Sequence, residues 1–432
     1  MPLIFFIAML LAGYAFSQNY ENLSLQNCIE IAKKNSLSLA STKLNEKTAA
    51  SSLTQAKNAR LPGLNGSAGQ DIVGGSPFAE PSSFGYLEGM RLSLNSSMPV
   101  YTGGRIGHSI NQAEFRNEIS KLSSEAAERV LSEQVIRAYM QVWSAMESEN
   151  SAQASLSLSK RLLAKDSVFF EAGSSTATDL AMAYAQTASD SLSLLQIQSS
   201  LIQNLTSLRQ LLEIPQGTEF SLSPPDSAAS QATEDYASLL KKAEKNSINK
   251  KIDSLSLLAA DEAIGIANAG RYPNVSLSGM LGTSLQWKVQ DPNYGVQLKN
   301  YFNYSASLSL NVALIDWGAT QHSILSAQVA KEQQQISTLN TQKQLENTIE
   351  QLALQVETYR LQWEVSTIQM EAQKLSLERS IQQHELGLMD ISSLVQQQTL
   401  FNSSLVRHNQ AKYNYLLGKS LLDLHTHNNG FF

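Results

Sequence analysis

The chain has 432 residues and a formal net charge of −6, and no cluster of basic residues offsets the acidic excess, which argues against a nucleic-acid-binding surface. Its length exceeds that of one ordinary domain, so two or more structural units are expected. Aromatic residues make up only 7% of the chain, while Ala, Ser, Gln and Leu dominate long tracts, and this composition favours extended helices over a thick globular core.

The first 17 residues are predicted to be a cleaved secretory signal peptide. An apolar run covers residues 3–12, and a small-x-small pattern follows at residues 15–17, in a stretch too short to span a bilayer. The only cysteine, Cys28, lies well beyond that cleavage point. Neither a disulfide nor a lipid-anchored N-terminus is therefore expected, and Cys28 is interpreted as a small buried residue.

Residues 18–214 are predicted to form a first structural repeat that begins with a helical segment. The helix is expected to stop at Pro62, because proline lacks an N–H group and disfavours helical geometry in the preceding residue. The elements predicted after it are strands at about 63–75 and 86–100, a long helix at 104–172 and a return helix at 174–214.

A second copy of this arrangement is predicted after a connecting segment. Residues 215–234 are rich in Pro, Ser and Gly, as linkers are. The second repeat, residues 235–424, begins with a helical segment that ends at Pro273. Its later elements are predicted as strands at about 274–289 and 300–314, a long helix at 318–386 and a return helix at 388–422, before a tail at 425–432.

The evidence for duplication is an ordered set of matches at a nearly constant offset. The segment HSINQA at His108 answers HSILSA at His322, 214 residues later, and the same offset places Gly173 on Gly387. Upstream, ARLP answers GRYP with an offset of 211. The 214-residue offset also superposes two heptad-like stripes, in which Leu131, Val135, Ala138, Val142 and Ala145 fall on Leu345, Ile349, Leu352, Val356 and Tyr359.

The two long helices are expected to need neighbours along their whole length. Residues 108–172 and 319–386 contain neither Gly nor Pro. At 1.5 Å rise per residue, each helix would extend roughly 100 Å. The shorter helices of each repeat, placed end to end, would run alongside one long helix.

Alternating side chains predict strands with two different faces. In residues 302–314, apolar or aromatic residues alternate with Ser, Asn and Ala. Half of a soluble β-sandwich alternates in the same way, so that interpretation stays open for the strands alone. The length of the strands, the small polar residues on one face and the aromatic residues near the strand ends favour a position across a membrane.

Four strands cannot close a barrel. Open edges in hydrocarbon would leave backbone N–H and C=O groups unpaired at several kcal/mol each. Other copies of the chain are therefore expected to supply strands, two copies giving about eight and three copies about twelve.

This combination of features resembles the TolC-like outer membrane efflux proteins. The likeness rests on the two-fold repeat, the Arg-x-Pro junctions, the two Gly turns and the segments YTGGRIGHSINQAE and DWGATQHSILSAQVAKE that leave the strands. It implies a mainly α-helical fold with membrane β structure. In this trimeric α/β barrel, each chain gives four strands to a twelve-stranded outer-membrane β-barrel and long antiparallel helices to a periplasmic α-helical barrel.

The resemblance also implies partners and a location. These are two further copies of the chain, the outer-membrane lipid of a Gram-negative bacterium, a periplasmic adaptor protein and an inner-membrane pump that supplies the energy. The duct itself would be passive and would need no cofactor. It would conduct whatever cargo the pump selects, in an efflux or a type I secretion system.

In this family a Val-Gly-Leu-like turn at each periplasmic tip docks the adaptor. The second turn of this chain keeps the pattern, whereas the first lacks its Leu. A turn with no partner role is the alternative, because helices commonly end at a Gly in left-handed geometry. The matching positions are Ala172, Gly173 and Ser174, and Leu386, Gly387 and Leu388.

Many family members carry two acidic residues beyond the second Gly, which ring the closed pore. This chain has Ser393 and Gln396 there, but Asp179, Glu385 and Asp390 lie nearby. An acidic, cation-selective constriction is therefore a hypothesis, and its alternative is a solvated helix face or a helix cap. The remaining candidate positions are the strand junctions Arg60, Pro62, Arg271 and Pro273.

No enzyme is predicted, because the chain has no P-loop, G-x-S-x-G, H-E-x-x-H or paired-Cys motif. His425 and His427 have no evident third ligand, so no metal site is expected, and Phe431 and Phe432 lie outside any predicted strand. The main rival function is a trimeric structural or adhesive stalk anchored in the outer membrane, which would not need the duplication. A soluble coiled-coil scaffold is disfavoured by the signal peptide and the two-faced strands.

Overall fold

A computed structural model describes residues 20–75, 85–225, 234–286 and 293–427. The predicted signal peptide, the predicted strand residues 287–289 and the terminal Phe431 and Phe432 lie outside these ranges. The described helices are α1 Leu25–Asn35, α2 Leu37–Asn58, α3 Arg105–Glu171, α4 Ala177–Leu211, α5 Tyr236–Asn246, α6 Ile248–Asn268, α7 Tyr294–Asn300, α8 Ala319–Glu385 and α9 Ile391–Thr426. The strands are β1 Gly63–Gly75, β2 Gly85–Tyr101, β3 Asn274–Gln286 and β4 Asn303–Asn311.

The chain divides into two compact units. The helical unit contains residues up to 40, 125–247 and from 343 onward, and the sheet unit contains residues 41–124 and 248–342. Along the described chain, no helix contains an apolar stretch long enough to cross a membrane.

The helical segment that opens each half is broken into two helices, although each was predicted as one. The break falls at Ser36 in the first half and at Ser247 in the second, with φ and ψ of −57° and 119° and of −67° and 114°. The Ser36 hydroxyl accepts a hydrogen bond from the backbone N–H of Leu39 at 3.3 Å. A serine that bonds locally to the backbone in this way competes with helix continuation and starts a new helix.

The core of the helical unit forms where the two predicted heptad stripes are buried. Val135 and Val142 on α3 and Ile349 on α8 are fully buried, and they belong to one cluster with Leu208 and Tyr415. The Tyr139 hydroxyl lies in this cluster and donates to the backbone carbonyl of Leu23 or of Ser223.

The four strands of the sheet unit form one antiparallel sheet in the order β1-β2-β3-β4. β4 covers Asn303–Asn311, so the prediction of 300–314 was too long. Of the predicted strand, residue 300 belongs to the short helix α7, which forms because the Asn293 side chain accepts hydrogen bonds from the N–H groups of Gly295 and Val296 and so caps a helix.

The return helices begin later than predicted, at Ala177 and Ile391 rather than at 174 and 388. The C-terminal tail predicted from 425 is also wrong, because α9 continues to Thr426, where the threonine hydroxyl bonds back to the carbonyl of Leu422.

Candidate docking tips and pore-constriction residues

The first tip turn joins α3 to α4 through a left-handed glycine. Gly173 has a φ of +73°, its N–H donates to the carbonyl of Phe170 at 3.0 Å, and the N–H of Ser174 donates to the carbonyl of Phe169 at 2.8 Å. This pair of bonds is the Schellman motif that ends many helices. Ala172, Gly173 and Ser174 are all exposed.

The second tip turn joins α8 to α9 with the same backbone. Gly387 also has a φ of +73°, its N–H donates to the carbonyl of His384 at 3.0 Å, and the N–H of Leu388 donates to the carbonyl of Gln383 at 2.9 Å. Its side chains differ, since Leu386 and Leu388 are 74% and 76% exposed. Two apolar side chains held in water on a fixed turn form a surface that favours a protein contact.

The candidate acidic residues Asp179 and Asp390 act as helix caps in the structure. In α4, Thr176 and Asp179 form a capping box, in which the Thr176 hydroxyl accepts from the Asp179 N–H and the Asp179 carboxylate accepts from the Thr176 N–H, each at 3.1 Å. In α9, the Asp390 carboxylate accepts from the Ser393 N–H at 3.3 Å and from the Ser392 hydroxyl. The caps explain why the return helices start where they do.

Hydrogen bonds keep both carboxylates ionised. The Thr176 hydroxyl, and then its backbone N–H, lower the pKa of Asp179, while the negative charge of Asp390 works in the opposite direction. The hydroxyls of Ser392 and Ser393 lower the pKa of Asp390 to about 2. The two charges belong to different helices, since Asp179 lies in the first turn of α4 and Asp390 caps α9.

The other candidate positions of this group play smaller parts. Ser393 adjoins Asp390 through the cap, whereas Gln396 is exposed one turn further along α9. Glu385 is exposed, and its backbone carbonyl accepts a hydrogen bond from Lys165 Nζ at 3.1 Å.

A buried histidine–aspartate pair links α8 and α3 beneath the tips. His384 Nε2 lies 3.0 Å from Asp166 Oδ1, with side chains 7% and 2% exposed. His384 Nδ1 lies 2.9 Å from the carbonyl of Met389. Because a carbonyl oxygen only accepts, Nδ1 carries a hydrogen, and one further proton lies between Nε2 and the carboxyl group. This pair was not predicted from the sequence, because the two residues lie 218 positions apart and neither belongs to a motif.

The strand junctions lie in the sheet unit. Arg60 and Pro62 are exposed, and Pro273 is half-buried beside Arg271, whose guanidinium donates to Gln321 Oε1 at 2.8 Å. No described contact gives these four residues more than the predicted role of ending a helix and starting a strand.

A second pair of ionisable groups joins α9 to α3 in the helical unit. His425 Nε2 lies 3.0 Å from Glu133 Oε1, and this hydrogen bond lowers the pKa of Glu133. Among the residues the structure describes, no group of three His, Cys, Asp or Glu side chains has the geometry to hold a metal ion.

Comparison with known proteins decides the family. A family-wide sequence profile described as "Outer membrane efflux protein" matches residues 28–213 and 239–422, which together make up most of the chain. The chain belongs to the outer membrane efflux protein family. Both halves of the duplicated sequence lie within the match.

One curated relative of this outer membrane efflux protein is the outer membrane protein TolC of Vibrio cholerae serotype O1. The two sequences are 25% identical over 302 residues, which is 68% of this chain. The chain spans 66% of the length of that relative.

Solved structures share the fold. The CmeC outer membrane channel of Campylobacter jejuni matches with a TM-score of 0.79 at 18% identity, covering 93% of this chain and 85% of CmeC. The outer membrane protein VceC of Vibrio cholerae matches with a TM-score of 0.76 at 19% identity, covering 94% of this chain and 97% of VceC. The predictions of the TolC-like family and of its mixed helical and β fold are confirmed for this outer membrane efflux protein.

Proposed function

We propose that three copies of this chain form the exit duct of a tripartite efflux or type I secretion system. The duct stands in the outer membrane and reaches into the periplasm, and it conducts cargo passively from a pump in the inner membrane. A signal peptide at residues 1–17 would direct the chain out of the cytoplasm.

The observation that carries this proposal is the open sheet. β1 pairs only with β2 and β4 only with β3 among the described strands, so each outer strand has a free edge. All nine residues of β4 are exposed. In lipid, such edges would cost several kcal/mol for each unpaired backbone group. Strands from further copies remove that cost by closing the sheet.

The helices support the same assembly, because α8 is apolar on two faces. One face, which includes Ile349, Leu352 and Val356, is buried within the chain. A second face is exposed at roughly heptad spacing, as expected for a helix that packs against neighbours on both sides. The residues of this second face are Leu354, Leu361, Val365, Ile368 and Leu375.

The tips supply the proposed contact with a periplasmic adaptor. Leu386 and Leu388 form the apolar part of that contact, and Ala172, Gly173 and Ser174 form a smaller part. Asp179 and Asp390 carry ionised carboxylates, which three-fold repetition would arrange as an acidic ring at the pore constriction. Glu385, Ser393 and Gln396 would lie beside that ring.

Conductance across a planar lipid bilayer tests the function. Purified protein is expected to insert and to give discrete conductance steps that favour cations. Neutralising the ring with Asp179→Asn and Asp390→Asn together should reduce that cation preference while insertion persists. A structural or adhesive stalk would insert without conducting, and that result would overturn the duct.

A further inference from the structure

The two β-hairpins of the sheet repeat the same register. Gly63 lies opposite Ser97 in the first hairpin, and Asn274 lies opposite Asn311 in the second. Moving β1 up by 211 positions and β2 up by 214 converts the nine pairs from Gly63–Ser97 to Asp71–Gly89 into the nine pairs of the second hairpin. Even a cross-strand serine contact is repeated, since Ser67–Ser93 and Ser278–Ser307 each have hydroxyl oxygens 2.7 Å apart.

β2 is the second strand of the first hairpin, and β3 is the first strand of the second hairpin. Their pairing therefore shows how the second strand of one hairpin pairs with the first strand of the next. Asn95 lies opposite Met280, and Ser96 lies opposite Gly279. β4 is the second strand of the second hairpin, so the equivalent pairing of β4 requires β1 of another molecule. The same two shifts convert these pairs into Ser309 with Gly69, and Leu310 with Ala68.

A tryptophan six residues beyond the end of β4 supports the same partner. Trp317 has a φ of +52° and is 94% exposed, and a bulky side chain in left-handed geometry is a true outlier that the surroundings must stabilise. Within the described residues of one chain, nothing covers it. Its counterpart in the first half is Gly103, where an added Cβ would lie 2.7 Å from the Cβ of Tyr272.

The counterpart of Tyr272 identifies what Trp317 would meet. The 211-residue shift converts Tyr272 into Leu61, which is 62% exposed. Within one chain, Gly103 thus packs closely on Tyr272. Between copies, the indole ring of Trp317 would pack on the exposed Leu61.

We infer that β4 of one copy pairs antiparallel with β1 of a second copy in a single register, in which Ser309 faces Gly69 and Leu310 faces Ala68 of the second copy, and that Trp317 packs on Leu61 of that copy. The inference rests on the proposed assembly and goes beyond it by fixing which residues meet. A register is needed because a slip of one residue would exchange the lipid and lumen faces of the strand.

Disulfide trapping tests the register on the full-length chain in native outer membranes. The single buried thiol is removed first with Cys28→Ser. Two adjacent pairs, Gly69→Cys with Ser309→Cys and Ala68→Cys with Leu310→Cys, cover both classes of antiparallel position. Directly opposed Cα atoms lie within disulfide range, whereas a slip of two residues takes them beyond it. The matched controls are Gly69→Cys with Ser307→Cys and Gly69→Cys with Asn311→Cys.

We expect oxidant to link copies in at least one of the two opposed pairs and to leave both controls at background. Linking in the controls but not in the opposed pairs would overturn the register while leaving the assembly intact. If no pair links and the extracted protein is monomeric, the proposed assembly fails together with the register. If no pair links although the protein is trimeric, the register alone fails.

Replacing the tryptophan gives a second test in which two effects have opposite signs. Glycine adopts left-handed geometry without strain, so Trp317→Gly would stabilise the protein if Trp317 had no partner. If Trp317 packs on Leu61 of a second copy, Trp317→Gly should instead lower the temperature at which the detergent-solubilised trimer dissociates. Trp317→Phe, which keeps a ring, should lower it less. An unchanged or higher dissociation temperature for Trp317→Gly would overturn this contact.

Discussion

The two tip turns share one backbone and present different side chains. Both end a 67-residue helix with a glycine at φ +73° and the same two Schellman hydrogen bonds. The first turn exposes Ala172 and Ser174 to solvent, whereas the second exposes Leu386 and Leu388. In the second turn, buried His384 also contacts the carbonyl of Met389 and, on α3, the carboxylate of Asp166.

This difference separates the residues that set the backbone of the turn from the side chains that are proposed to contact a partner. The glycine and the caps are sufficient to make the turn, because both tips have them and both adopt the same geometry. The exposed leucines add nothing to the backbone, so the proposed contact with an adaptor would depend on the two tips unequally.

The largest expected effect comes from the leucines of the second tip. Leu386→Asp with Leu388→Asp should abolish measurable binding of the proposed periplasmic adaptor, because buried charge replaces the apolar centre of the proposed contact. The equivalent change in the first tip, Ala172→Asp with Ser174→Asp, should weaken binding less. Immobilised trimer and soluble adaptor give both dissociation constants, where each tenfold rise corresponds to about 1.4 kcal/mol.

Folding must be intact for that comparison to count. Both double variants should keep the helical circular dichroism and the trimer mass of the unmodified protein, because all four side chains are exposed. Equal losses of affinity at the two tips would contradict the unequal roles assigned to them.

The buried pair is expected to give the largest change in stability. His384→Leu removes the partner of a carboxyl group that is almost inaccessible to solvent, and Asp166 Oδ2 already has no hydrogen-bond partner among the described residues. Breaking a buried pair of this kind costs about 3–5 kcal/mol. Thermal unfolding and the rate of proteolytic cutting at the second tip measure the effect.

The neighbouring variant Gln383→Leu is the control, because Gln383 is exposed and only its backbone carbonyl takes part in the turn. It should leave both measurements near those of the unmodified protein. A similar loss in both variants would mean that the apolar replacement, rather than the lost pair, destabilises the tip.

Replacing the tip glycines should cost the same amount at both tips. An added Cβ at Gly173 or Gly387 meets no atom within 4 Å, so the only penalty of an Ala substitution is the left-handed backbone, about 1–2 kcal/mol. Thermal unfolding of Gly173→Ala and Gly387→Ala measures it, and the corresponding Asn variants, which tolerate this geometry, should lose less. Clearly unequal costs would show that side chains help to set the turn.

The repeat, the long helices and the tip glycines were accessible from the sequence because each depends on local chemistry or on spacing. An uninterrupted stretch without Gly or Pro predicts a helix, and α3 and α8 begin and end within one residue of the predicted bounds. The starts of the return helices were missed by three residues, because the predicted helices began directly after each tip glycine, whereas Thr176 and Asp390 cap helices that begin at Ala177 and Ile391.

The contacts within the candidate site were less accessible, because they join residues distant in sequence. Asp166 and His384 meet only after two separate hairpins pack together, and no local pattern marks either residue. The break at Ser247 was also missed, although its counterpart Ser36 lies 211 residues earlier. Comparing the two repeats at each serine would have revealed that shared signal.

The smallest expected effect concerns the charge on the cap of α9. The pKa of Asp390 lies near 2 in the folded chain, below its ordinary value of 3.8, because the Ser392 and Ser393 hydroxyls stabilise the carboxylate. A depressed pKa contributes stability that is present above pH 3.8 and is lost as the pH falls through about 2. Asparagine also caps helices but carries no charge. The melting temperature of Asp390→Asn should therefore lie slightly below that of the unmodified protein at pH 6, and the difference should close as the pH approaches 2.

Asp179→Asn should behave in the same way at the first tip, since hydrogen bonds from Thr176 lower the pKa of Asp179 as well. A difference that is constant over this pH range would mean that the geometry of the cap matters and that its charge does not.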